Sequence, residues 1–127
     1  MKLVIGGYAQ GKLSYVLSKY HLREDAVWDG ALPDKASVQK ETVVIDHFHN
    51  WVKKCILEGG CPEAEMESFL KCYENCIIIS DEIGNGIVPA DSFEREYRER
   101  TGRLLVRLAE NAEEVWRIIC GIGQRIK

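Results

Sequence analysis

The sequence predicts an α/β protein of three layers, a mostly parallel sheet with helices on both faces. Three observations predict it. Short apolar, β-branched runs at residues 3–5, 42–46, 76–80 and 115–120 read as buried strands. Helical periodicities lie between them, and strands alternating with helices build a parallel sheet. The first run is also followed at once by a glycine-rich turn and a helix.

That turn is G-x-x-x-x-G-K: Gly6, Gly7, Tyr8, Ala9, Gln10, Gly11 and Lys12. Strand, glycine-rich turn, lysine and helix together make a phosphate-binding loop, or P-loop. The glycines let successive backbone N–H groups turn inward toward phosphate oxygens. The helix N-terminus adds its positive dipole end, and Lys12 adds a point charge. The competing reading is a glycine-rich turn that binds nothing. The residue after the lysine departs from the pattern. A Ser or Thr hydroxyl would hold Mg²⁺ there, and this chain has Leu13. Leu13, Val16, Leu17 and Tyr20 share one helical face, so Leu13 is expected to pack.

Length and composition fit one domain spanning residues 1–127, with 46% hydrophobic and 29% charged residues. The net charge of −3 offers no general basic field for nucleic acid. No apolar run approaches the roughly 20 residues of a membrane span. A core strand beginning at Lys2 leaves no room for an export signal, so a cytoplasmic protein is expected. The five cysteines, without C-x-x-C pairs, read as free thiols.

Taken in order, the helix after the loop runs to about Tyr20. Val27 and Trp28 suggest a short edge strand. Residues 42–46 form the next strand, ending on Asp46. A terminal carboxylate there is the usual Mg²⁺ partner of a P-loop, and the alternative is a cap on the following helix. His47 and His49 follow, either a polar helix start or, less simply, an acceptor or metal-binding pair. Helices are expected near residues 50–58 and 62–75, the second opened by Pro62. After the strand at 76–80 comes a loop to Ala90 carrying Asp81, Glu82, two glycines and Pro89. Glu82 is placed there as a candidate base near a γ-phosphate or substrate hydroxyl, or as a brace for the loop. Asp91 and Glu94 start a helix in capping-box fashion. Phe93, Tyr97, Thr101, Leu104 and Leu108 form its apolar face, with Gly102 expected to permit a close approach. A final short strand is expected near residues 124–126.

The second half carries a resemblance. Residues 81–89 (Asp-Glu-Ile-Gly-Asn-Gly-Ile-Val-Pro), Gly102 and Arg103, residues 107–109, residues 112–116 and residues 121–127 resemble the bifunctional adenosylcobinamide kinase / adenosylcobinamide-phosphate guanylyltransferase family of cobalamin biosynthesis. The resemblance covers residues 1–20, 43–52 and 76–127. It implies a P-loop NTPase fold like that of the recombinase ATPases. It also implies an ATP- or GTP-dependent kinase that uses Mg²⁺ and phosphorylates adenosylcobinamide, followed by GMP transfer through a histidine, in a homo-oligomer, typically a trimer. By that resemblance Gly6, Gly7, Gly11 and Lys12 fit the family's P-loop and Asp46 its second acidic strand. In the kinase reading Gly6 to Leu13 are expected to bind the nucleotide, Lys12 to act in catalysis, Asp46 to manage Mg²⁺ and Glu82 to be the candidate base. The family's acceptor histidine lies between the P-loop helix and the second acidic strand. Residues 22–45 contain no histidine, so guanylyl transfer by that route is not expected. A non-catalytic nucleotide-binding or regulatory protein is the rival reading.

Overall fold

The computed structural model describes residues 1–34, 41–83 and 90–127. Its strands are β1 (Lys2–Gly6), β2 (Val27–Asp29), β3 (Val43–Asp46), β4 (Cys76–Asp81), β5 (Glu114–Ile119) and β6 (Ile122–Arg125). They form one sheet in the order β2-β3-β4-β1-β5-β6. All neighbours are parallel except the terminal β5–β6 hairpin. The helices are α1 (Lys12–Lys19), α2 (Phe48–Leu57), α3 (Pro62–Cys72) and α4 (Ser92–Asn111). Together they form the predicted three-layer α/β fold.

Alternation along the strands explains why both faces are covered. Leu3, Val43, Ile45, Cys76, Ile78 and Val115 point to one side, where Phe48, Trp51 and Val52 of α2, Met66 and Phe69 of α3, and Tyr97, Leu104 and Leu108 of α4 pack on them. Val4, Val44, Ile77, Ile79 and Ile118 point to the other, against Val16 of α1. Successive side chains on a strand face opposite ways, so a continuous apolar run requires a helix layer on each face. Leu13 joins the α1 side, partly buried against this second cluster.

Several boundaries move. The second helix starts at Phe48, two residues early, because His47 adopts a left-handed backbone and turns the chain directly from β3 into α2. Asp81 belongs to β4 and is not the first loop residue. The last strand begins at Ile122, directly after the turn at Cys120 and Gly121. Asp91 caps α4 as expected, its side chain accepting from the Glu94 N–H at 3.0 Å. Gly102 does not mark a close approach: a Cβ there meets nothing within 4 Å among the described residues. Residues 84–89 of the resemblance-bearing loop lie outside the described residues.

One edge of the sheet collects the chemistry. β2, β3 and β4 end on Asp29, Asp46 and Asp81, and β1 ends on Gly6. Register makes Asp29 the partner of Asp46, and Gly6 the partner of Asp81. In open parallel sheets, ligands bind outside these carboxyl ends.

Candidate functional site

The loop from β1 to α1 is built by close backbone approach. A Cβ at Gly6 would stand 2.6 Å from the Ile118 carbonyl oxygen, so only glycine lets β1 enter the loop beside β5. Ala9 and Gly11 take positive φ, 55° and 82°, and Gly11 is the N-cap of α1. Tyr8 stands at the tip, 85% exposed. Gln10 ties the loop to the β5–β6 turn: its Oε1 accepts from Cys120 N–H at 2.7 Å and its carbonyl accepts from Gly121 N–H at 2.8 Å. Gly7 completes the stretch between strand and tip.

Lys12 is buried, and its ammonium turns back under the loop. Nζ donates to the Gly7 carbonyl and to Asp81 Oδ1, each at 2.7 Å. Asp81 in turn faces His49, whose Nε2 lies 3.4 Å from Asp81 Oδ2. His49 Nδ1 accepts the Asp81 N–H at 3.1 Å, which leaves the ring proton on Nε2. Burial lowers the His49 pKa, outweighing the pull of the Asp81 charge. The result is a connected set, lysine to carboxylate to neutral imidazole, across the ends of β1 and β4.

Glu82 takes a different direction. Its N–H donates to the Gly6 carbonyl at 3.0 Å. Its carboxylate accepts from Arg117 Nε at 2.7 Å and Nη2 at 3.3 Å, an ion pair with β5. The structure therefore brings Asp81, not Glu82, onto Lys12.

Asp46 is buried at the end of β3. Its Oδ1 accepts from the N–H of the next residue, His47, at 2.9 Å, and its Oδ2 lies 3.5 Å from His47 Nδ1; the N-cap of α2 is His47, and no side chain caps that helix. The same His47 nitrogen is 2.5 Å from Asp29 Oδ1. The bond to Asp29 raises the His47 pKa above the ordinary histidine value. Asp46 Oδ2 accepts no hydrogen bond from the His47 N–H, which goes to Oδ1, and is the oxygen available to a cation at this strand end, whereas Leu13, packed against the apolar cluster, supplies no oxygen. Sequence reasoning missed Asp29, and it set Asp81 and Glu82 together near Lys12 or Mg²⁺ without separating the one that meets the lysine. The available signal was the aspartate closing each of three successive parallel strands.

A parallel sheet with a glycine-rich turn leading into a helix, and a buried lysine among strand-end carboxylates, defines a P-loop α/β protein. The sequence model of the cobinamide kinase / cobinamide phosphate guanyltransferase family, CobU, matches residues 17–126, and the chain belongs to that family. It is 40% identical over 57 residues to the bifunctional adenosylcobalamin biosynthesis protein CobU of Salmonella typhimurium strain LT2, covering 45% of this chain and 32% of that protein. It is 37% identical over 68 residues to the protein of the same name from Escherichia coli strain K12, covering 50% of this chain and 38% of that protein. The matched stretches thus span about a third of the length of each relative. Among the described residues, no helix is long and apolar enough to cross a membrane.

Proposed function

We propose that this chain binds a purine nucleoside triphosphate, ATP or GTP, through Gly6 to Leu13 and acts as a kinase on cobinamide. The carrying observation is the Gly6–Gly11 turn, with the Lys12 ammonium 2.7 Å from the loop's own Gly7 carbonyl at the carboxyl ends of the strands. Incoming phosphate oxygens take over the lysine, with backbone N–H groups of the loop and the start of α1 as further donors. Asp46 is the residue to hold Mg²⁺, which supplies charge neutralisation on the phosphates when bound. Glu82 orients the loop through Arg117 and Gly6 or, once nucleotide binds, faces the acceptor hydroxyl. Phosphoryl transfer is mostly positioning and charge stabilisation, so loss of one metal-binding hydroxyl at Leu13 weakens it without abolishing it.

Kinase activity is the half of the family's two-part name that this sequence favours. No histidine occurs in residues 22–45, where the resemblance puts the guanylylated residue. Incubation with adenosylcobinamide and γ-labelled ATP or GTP tests the proposal. Label appearing on the corrinoid supports it, and nucleotide binding without transfer overturns the kinase reading. With α-labelled GTP no acid-labile adduct is expected, and one on His47 or His49 would restore guanylyl transfer by a displaced acceptor.

One observation favours a second reading, a non-catalytic nucleotide-binding or regulatory protein. The Asp81 carboxylate on Lys12 is a negative charge where phosphate would sit, and it competes for the same ammonium. A homo-oligomer in the cytoplasm belongs to the same proposal and rests on the family resemblance.

A further inference from the structure

We propose that Asp29, Asp46 and His47 form a binding site for a divalent transition-metal ion, with Mn²⁺ preferred over Mg²⁺. β2 and β3 are parallel and in register, so Asp29 and Asp46 end adjacent strands side by side. His47 follows Asp46 directly, and its ring returns over both strand ends. One ligand atom from each residue can be chosen so that all three lie within 4.8 Å of one another. Nδ1 of His47 is the common centre, 2.5 Å from Asp29 Oδ1 and 3.5 Å from Asp46 Oδ2.

Burial separates a fixed ligand from two accessible ones. The Asp46 side chain is only 8% exposed, and its Oδ1 already accepts the His47 N–H, which leaves Oδ2 for the cluster. Asp29 and His47 are 73% and 44% exposed, so the opposite side is open to an ion and to its water or phosphate ligands. Neighbouring like charges on adjacent strands repel, and a dication between them turns that repulsion into attraction. Ligand atoms at about 2.0–2.2 Å from an ion stand roughly 3–4 Å apart, so binding opens the 2.5 Å contact between His47 and Asp29 slightly while the 3.5 Å contact to Asp46 already fits. Two carboxylates with one imidazole set the preference: carboxylates suit Mg²⁺ and Mn²⁺, while an imidazole nitrogen selects the transition ion. Asp81, the third strand-end carboxylate, is committed to Lys12 and His49.

The site shares Asp46 with the metal position of the proposed nucleotide site, and it is tested without nucleotide so that the two readings can fail separately. Mn²⁺ is titrated into the metal-free full chain and the free-ion signal is followed by electron paramagnetic resonance. The expected result is one ion per chain, bound at least tenfold more tightly than Mg²⁺ in competition. Asp29→Asn, at an exposed position, should weaken Mn²⁺ at least tenfold with an unchanged circular dichroism spectrum. His47→Asn, which tolerates the left-handed backbone, should erase the preference for Mn²⁺ over Mg²⁺. No saturable binding, equal competition by Mg²⁺, or unchanged affinity in Asp29→Asn would overturn the site and leave a histidine ion-paired with two carboxylates. Nucleotide binding, measured in a separate titration, can fail without touching this result.

Discussion

At the scale of single residues, Lys12 decides the account, and its partner Asp81 sets the level of affinity. A phosphate must displace a carboxylate already 2.7 Å from Nζ. Asp81→Asn keeps the shape and removes the competing charge. It should tighten Mg²⁺-free nucleotide binding at least threefold in calorimetric titration, and weaker binding would show that Asp81 orients Lys12 instead of restraining it. Leu13→Ser restores an oxygen beside the phosphates at the cost of apolar packing against the Val4 and Val16 cluster. Nucleotide affinity of that variant should depend on Mg²⁺ more steeply than wild type, while its thermal midpoint falls. The G-x-x-x-x-G-K spacing made Lys12 legible in the sequence. The choice between Asp81 and Glu82 was not, because consecutive residues at a strand end face opposite ways and only the pairing of β4 with β1 fixes which one meets the lysine.

At the scale of elements, the strands of the buried centre could be read directly, since β3 and β4 are unbroken apolar runs with both faces covered. β2 is three residues long and partly exposed, too short for any periodicity to reveal that Asp29 would stand beside Asp46. The start of α2 was hidden for another reason. His47 has φ 50°, a conformation few residues other than glycine adopt, and propensity reasoning gives no warning of it. Capping chemistry was legible: Asp91 closes the first turn of α4 where the Asp-x-x-Glu spacing put it. Asp91→Ala should destabilise the protein by about 1 kcal/mol in urea unfolding, and an unchanged midpoint would mean that packing alone holds that end.

At the scale of the whole molecule, α2, α3 and α4 form one outer layer and α1 the other, so the sheet edge carrying Gly6, Asp29, Asp46 and Asp81 is positioned by the entire core. Within the three-helix layer, the helices are joined by charge as well as packing. Arg100 of α4 donates to Glu63 of α3 through Nε at 3.1 Å and Nη2 at 2.9 Å. That bond lowers the Glu63 pKa from 4.5 to about 2. A carboxylate depressed in the folded state stabilises fully above its unfolded pKa, and the contribution is lost as pH falls toward 2. Thermal melts between pH 5 and 2 should therefore show a smaller loss of stability for Glu63→Gln than for wild type, and parallel curves would remove Glu63 from acid unfolding. The edge chemistry rests on one claim, that the loop ending at Lys12 is a nucleotide phosphate site. Titration of ATP and of GTP into wild type and Lys12→Ala tests it most directly. A charge-assisted phosphate contact contributes about 1.5–3 kcal/mol, so the variant should bind at least tenfold more weakly with its fold intact. Equal affinity in the two proteins, or no binding of either nucleotide to wild type, would contradict it.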